Sequence, residues 1–334
     1  MSDAVFSVKS VGPFVTIQDV GRSGYMRFGV PTSGPMDSTA FAAANAALGM
    51  NTGQTAIEIS LGGLVLNCES GSVTLAVTGG DFKVQRSKQT GTPWRVLTVR
   101  EGDTVIIRPG QVGSWAYLAF AGTLNAAQWL NSSATHALSD FGGGALKAGQ
   151  RLVVSNTAIL ENREGEIAKP NFQSIGPIRA VLGPQDHQFV SAAKNLLLSE
   201  PFMVSDSYDR MGMRLKGPAL ELDGALSIPS EPVVKGSVQV SGDGIPTVLL
   251  ADHQTTGGYP KIATVISSDI DRLSQFRSGA EFRFKAITHE EALTETRALH
   301  RLKTEYLNAL KQPKTTLAQR LMSENLNSAY SGPM

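Results

Sequence analysis

Cysteine is almost missing from these 334 residues: Cys68 is the single example, so no internal disulfide framework exists. One thiol fits a reducing cytoplasm, and its place behind Leu64-Val65-Leu66 marks a strand end rather than a nucleophile. Long apolar runs are also missing. Ala116–Ala121 is typical of the longest, far below the roughly 18–20 residues that span a bilayer. Met1-Ser2-Asp3-Ala4 has neither the basic nor the apolar region of a signal peptide, so a cytoplasmic place is expected. Net charge is only +1, which provides no field to gather nucleic acid or an anionic membrane. Five scattered histidines with no His-Glu-x-x-His exclude a tight zinc site, and no metal is expected. Other signatures are absent too. There is no Gly-x4-Gly-Lys-Ser/Thr phosphate loop, no Gly-x-Ser-x-Gly elbow and no Met-Lys-Met attachment site, so the chain would not carry biotin itself. Gly142–Gly144 is not followed by the helix start of a dinucleotide fingerprint.

What is abundant is glycine, 34 residues, set between short apolar runs rich in Val, Ile and Thr. Val73-Thr74-Leu75-Ala76-Val77, Thr104-Val105-Ile106-Ile107 and Leu152-Val153-Val154, each bounded by turn residues, predict strands. The class is mainly β, and the runs alone leave sandwich and barrel both open. Three helices are expected. Asp37 caps Ser38–Leu48, Gln185–Leu198 follows Gly183-Pro184, and Thr288–Lys311 opens with Thr288-x-x-Glu291. Leu299, Leu302, Tyr306 and Leu310 give the last an amphipathic stripe, expected to dock on its own chain. The charged stretch Asn156–Phe172 is the best boundary candidate. It divides a domain over 1–165 from a second over 172–311, with a loosely held tail over 312–334.

Three polar segments carry the chemistry. Ala251–Lys261 contains Asp252, His253, Gln254, Thr255, Thr256, Gly257, Gly258, Tyr259 and Lys261. Its glycine pair is expected at φ > 0, where backbone N–H groups cradle a carbonyl or carboxylate. Asp252 and His253, adjacent in a strand-like register, are expected on opposite faces, and His253 could shuttle a proton. Lys261 could stabilise a developing oxyanion. The second segment, Gln18–Asp37, offers the Gln18 amide, the Asp19 carboxylate and Arg22, whose planar fork matches a substrate carboxylate. Asp37 reads as a helix cap. The third, Ser207–Leu215, places Asp209 beside Arg210, either as a buried structural pair or as part of a site. Asp19, Asp209, Asp252 and Lys261 are the catalytic candidates; Gln18, Arg22, Arg210 and the residues from Gln254 to Tyr259 are the binding candidates. Asp19, Arg22, Asp209, Asp252 and the loop 255–260 are expected to converge on one cleft.

TIQDVGRSGYMRFGVPTSGPMD, SYDRMGMRLKGP, SEPVVKGSVQV and DHQTTGGYPKIATVIS, in this order between Val11 and Phe284, resemble the allophanate hydrolase subunit 2 family. That family includes KipA-type proteins, the C subunit of bacterial 5-oxoprolinase and part of the carboxyltransferase region of urea carboxylase. The resemblance implies two cyclophilin-like β-barrel domains and a C-type subunit of an ATP-dependent 5-oxoprolinase, which opens the 5-oxoproline lactam to L-glutamate. ATP would then act at the level of a complex with A-type and B-type (KipI-like) subunits, and the chain would be silent alone. Alternatives are a carboxyltransferase component acting on urea or an amide, and a KipA-type regulator that binds a kinase inhibitor. Two departures stand out. The family's Ser-Asp-Arg-Met-Gly is Ser207-Tyr208-Asp209-Arg210-Met211-Gly212 here, which puts Ser207 in doubt. Its Gly-Ser-Arg-Ser-Thr-like element reads Asn131-Ser132-Ser133-Ala134-Thr135, without the arginine.

Overall fold

The computed structural model describes residues 3–87, 89–172, 175–224 and 227–313. The short apolar runs become strands of three large sheets, with four helices among the described residues. The first sheet orders its seven strands as Thr123–Leu124, Arg151–Ser155, Ala4–Val11, Leu64–Ser70, Thr104–Arg108, Lys83–Arg86 and Gln89–Gly91. The second runs Gly165–Glu166, Arg95–Arg100, Ser72–Thr78, Ala116–Phe120, Ala56–Ile59 and Thr16–Gln18. Their apolar faces share one core, where the Phe6 ring lies 5.6 Å from that of Phe120. Alternation is weak in central strands such as Ala116–Phe120, which is buried throughout, because both of its faces are covered.

The third sheet has eight strands and its ends meet. Its edges, Glu281–Phe282 and Phe284–Ala286, are separated in the chain only by Arg283, so the sheet curls almost into a closed barrel. Closure removes most of the open edge that a free sheet would present. No strand before residue 167 pairs with one after residue 177 among the described residues, which places the change of sheet within the charged stretch. A two-stranded ribbon, Glu231–Pro232 with Thr256–Gly257, stands apart from the barrel ladder.

Helix α1 (Ser38–Ala47) starts where expected, with Asp37 accepting from the Thr39 and Ala40 amides. The helix expected over 185–198 is interrupted. Asp186–Gln188 is one 3-10 turn, Phe189 is extended, and α2 begins at Ser191 and ends at Ser199. The cause is tertiary: Phe189 is buried and bridges to Leu222, while the Val190 amide donates to Glu221 O, which pulls the chain out of the helix. A short helix α3 (Ser267–Ser274) was not expected. It buries Ile270 and Leu273 and anchors Asp269 on Arg179.

Helix α4 (His289–Lys311) has the full capping box of Thr288 and Glu291. It packs on its own chain across both halves. Tyr306 donates to Ala168 O at 2.7 Å, Arg163 to Lys311 O at 2.7 Å and Lys303 to Ser38 Oγ at 2.8 Å. These ties select the face Lys303, Tyr306, Leu307 and Leu310, a spacing of three and four residues, and leave Leu302, a member of the expected stripe, exposed. A chain ending at Ile287 should therefore unfold at least several degrees below the full chain in a thermal melt. An unchanged midpoint would mean that α4 does not brace the two halves. The expected tail lies outside the described residues from 314 onward. No described helix is long and apolar enough to cross a membrane.

Candidate functional site

The site is built around a charge that has been taken out of water. Asp209 Oδ1 accepts from the amides of Met211 (2.7 Å) and Gly212 (3.2 Å), closing a tight turn between the strands Phe202–Tyr208 and Gly212–Lys216. That turn aims Arg210 inward, where its side chain is 1% exposed. Its guanidinium grips Asp252 through Nε (2.8 Å) and Nη2 (2.9 Å), donates to Gly34 O (2.7 Å) and meets Glu58 through Nη1. Glu58 sits on the strand Ala56–Ile59 of the other half and also accepts from the Met36 amide and the Tyr117 hydroxyl, each at 2.8 Å. Burial alone would lower the Arg210 pKa, but Asp252 and Glu58 overrule it and raise it, so the cation is permanent. The same contest holds the Asp252 carboxyl below its ordinary range: burial pushes it up and Arg210 pulls it further down. Asp252 Oδ2 also accepts from the Ala137 amide at 3.2 Å. An ionised carboxylate with its lone pairs engaged positions other groups better than it moves protons.

Beyond Asp252 opens a cavity of about 260 Å³ where the two halves meet. Arg22, Trp129, His136 and Phe141 line it from the N-terminal half, and Met211, Asp252, Gln254, Thr255 and Thr256 from the C-terminal half. Arg22 is 2% exposed, with its guanidinium 5.3 Å from the Trp129 ring centre; Trp129 in turn stacks on Phe141 at 4.3 Å. Gly142, at φ +92°, lets the chain pass close to Ala134, since a Cβ there would lie 2.2 Å from Ala134 O, the carbonyl that accepts from Arg22, and 3.1 Å from Arg22 Nη2. His136 Nδ1 lies 3.0 Å from Ser139 Oγ, and its imidazole forms part of the wall. Met211 and Gln254 also line a second cleft of about 670 Å³, together with Asp209, Gln239 and Tyr259, so inner cavity and outer cleft adjoin.

The residues singled out in the sequence thus separate into three places. Arg22, Asp252, Gln254, Thr255 and Thr256 share the inner cavity, with Arg210 behind Asp252. Asp209 and Tyr259 line the outer cleft. Gln18, Asp19, Gly257, Gly258 and Lys261 line neither. Gln18 is wholly buried and donates to Thr16 Oγ1 and Thr135 O. Asp19 accepts from Gly21 N, Ser132 Oγ, Ser133 N and Ser133 Oγ, at 2.7–3.1 Å, so both its oxygens are engaged in shaping the loops. The serines of Asn131–Thr135, where the family's arginine is missing, thereby acquire a role. Lys261 is 2% exposed and lies 3.6 Å from Glu231 Oε2.

Two expectations for the loop are corrected. Neither Gly257 nor Gly258 is among the glycines at positive φ. Their small size answers close approach: a Cβ on Gly257 would come 2.5 Å from Gln239 Nε2, and one on Gly258 3.1 Å from Ile228 O. The loop is instead pinned against the segment 228–233, its Thr255 and Gly258 carbonyls accepting from the Val233 and Ile228 amides beside the ribbon with Glu231–Pro232. Asp252 and His253 lie in a turn rather than a strand, and both are buried; His253, whose pKa burial lowers, meets Gln254 O at 2.6 Å and does not line the cavity.

Glu58, Trp129 and His136 escaped the sequence reading. His136 had a signal, a histidine placed between two small-residue turns, Asn131–Thr135 and Gly142–Gly144. Glu58 had one in retrospect: an acid inside the apolar strand Ala56-Ile57-Glu58-Ile59 needs a buried partner.

Residues 28–286 match the family described as carboxyltransferase domain, subdomain A and B. The C subunit of 5-oxoprolinase from Haemophilus influenzae is 36% identical over 83% of this chain and 89% of its own length. The C subunit of the Escherichia coli enzyme is 32% identical over 84% and 91%. Urea amidolyase of Lachancea kluyveri is 27% identical over 98% of this chain, but the match spans only 19% of that protein. Among solved structures, TTHA0988 superposes with a TM-score of 0.75 at 31% identity over 84% of this chain, which spans 56% of the length of that protein.

Proposed function

We propose, since the chain belongs to the carboxyltransferase family of subdomains A and B, that it is the C-type subunit of an ATP-dependent 5-oxoprolinase complex. In this role it helps open the 5-oxoproline lactam to L-glutamate in the cytoplasm. The observation that carries the reading is the near-full-length match to two bacterial 5-oxoprolinase C subunits, on both sides of the comparison. Each half of the chain contributes a wall of the inner cavity, which lies at the small end of ligand sites and suits a compact amide.

The division of labour follows from the residues. Opening a lactam adds water to the carbonyl carbon and releases the ring nitrogen as an amine, which requires a proton delivered to nitrogen. His136 is the wall group placed to exchange a proton, because Asp252 is held ionised by Arg210. Gln254, Thr255 and Thr256 supply the amide and hydroxyl donors that orient the lactam carbonyl. The sequence lacks a phosphate loop, so ATP is assigned to the complex with A-type and B-type (KipI-like) subunits, and biotin is not carried here. Co-expression with those two subunits should yield ATP-dependent glutamate release from 5-oxoproline, while the purified chain should give none. Turnover by the chain alone, or none by the assembled complex, defeats the proposal.

The second reading is a carboxyltransferase component acting on urea or an amide, favoured by the urea amidolyase match over nearly the whole chain. A carboxylated product formed from urea with a biotin carrier, and no glutamate from 5-oxoproline, would select it. A KipA-type regulator would bind its inhibitor partner without any turnover.

A further inference from the structure

Arg22 is a buried cation left incompletely satisfied. Its Nη2 donates to Ala134 O, but Nε and Nη1 have no hydrogen-bond partner, and the side chain makes no ion pair among the described residues. The neighbouring carboxylates Asp19 and Asp252 attract the cation through space, but neither outweighs its burial and neither accepts a hydrogen bond from it. Asp19 is engaged by Ser132 and Ser133, and Asp252 by Arg210. A buried donor without an acceptor is costly, more so when charged, so such an arrangement persists where something else supplies the acceptor. Arg22 lines the inner cavity, and the indole of Trp129 holds the guanidinium plane from one side.

We infer that Arg22 makes the inner cavity a carboxylate-binding site, so that this chain takes a small cyclic amide bearing a carboxylate and discriminates against neutral urea or an uncharged lactam. This rests on the reading proposed above and deepens it by naming the group that selects the substrate. A guanidinium fixed in an apolar wall favours an anion far more than in water, because competing solvent is excluded. A neutral ligand of the same shape leaves the two donors unmet, which is the strongest form of discrimination a polar site offers.

The test is direct binding to the purified chain by calorimetry or ligand-observed NMR, independent of turnover. The probes are 5-oxoproline, its uncharged analogue 2-pyrrolidinone, urea and cyclopentanecarboxylate. Arg22→Gln should weaken 5-oxoproline binding by about 10–100-fold and leave the already weak 2-pyrrolidinone binding unchanged. Arg22→Lys, which keeps the charge and is the safer variant for folding, should fall between. Unchanged 5-oxoproline binding in both variants overturns the inference, as does equal affinity of the wild type for 2-pyrrolidinone or urea. If cyclopentanecarboxylate binds through Arg22 and 5-oxoproline does not, the carboxylate site stands and the 5-oxoprolinase reading falls. If no carboxylate binds, the carboxylate site falls, and glutamate release by the complex still decides the function.

Discussion

Replacing Arg210 by methionine should lower the unfolding free energy by about 3–5 kcal/mol. The side chain joins the two halves: it holds Asp252 on one and Glu58 and Gly34 O on the other. Its removal strands two carboxylates, 1% and 0% exposed, without their cation. The cost is then not the worth of the ion pair but the penalty of leaving buried charge uncompensated, which is the larger quantity. This distinction makes a second measurement informative. Adding Glu58→Gln and Asp252→Asn to Arg210→Met should recover part of the loss, because the stranded charges go with the cation. Urea denaturation of the three proteins reads the difference. A single Arg210→Met variant within about 1 kcal/mol of wild type would mean that the triad does not hold the halves together.

Stability should also fall as pH rises from about 4 to about 7, through Asp37. Burial pushes this carboxyl up to about 7 from its ordinary 3.8, and the nearby Asp271 adds to the effect. Asp37 caps α1 and accepts from Gln275 Nε2 at 2.9 Å, while Asp271 of α3 accepts from the Ser38 and Thr39 amides at the same helix end. Two carboxylates thus share one helix N-terminus across the two halves, with Lys303 of α4 3.8 Å from Asp271. For Asp271, burial raises and Lys303 and Lys235 lower the pKa, the net being downward, so Asp37 is the one that keeps a proton. The sign follows from linkage. Between the unfolded pKa and the raised folded one, the folded chain binds more protons, so its stability declines with rising pH and levels off above about 7. The slope approaches about 1.4 kcal/mol per pH unit, and the total is roughly 2–4 kcal/mol. His253 acts oppositely below its ordinary pKa, since burial lowers it, so the comparison with Asp37→Asn isolates the carboxyl. Asparagine caps a helix as well as aspartate. Denaturation at several pH values should give a flatter profile for the variant; parallel profiles would rule out Asp37 as the cause.

The legible features share one property: their partners are close in the chain. The Asp37 cap and the Thr288–Glu291 capping box each span two or three residues, so local chemistry sufficed to place α1 and α4. The strands of the mainly β class announced themselves through short β-branched runs between turns. Where a distant contact intervenes, the reading erred. Phe189 left the expected helix for Leu222, and the inward face of α4 shifted to Leu307 because Lys303 reaches Ser38. Gly257 and Gly258 were assigned to φ > 0, but what requires small residues there is Gln239 and Ile228, whose approach is tertiary.

Composition, turn chemistry and motif order by themselves determined the β class, the starts of α1 and α4 and the family, because each depends on residue identity at short range. They also placed Arg22, Asp252 and the segment 254–256 under suspicion, since cations, acids and hydroxyls in glycine-rich loops are conspicuous. Only the tertiary structure decided which of these meet. Asp19 turned towards Ser132 and Ser133, Lys261 towards Glu231, and Arg22 into a cavity with Trp129 and His136 that lie more than a hundred residues away in the chain. The physical reason is that desolvation and charge pairing depend on where the two halves close upon each other, and that geometry has no local imprint in the sequence.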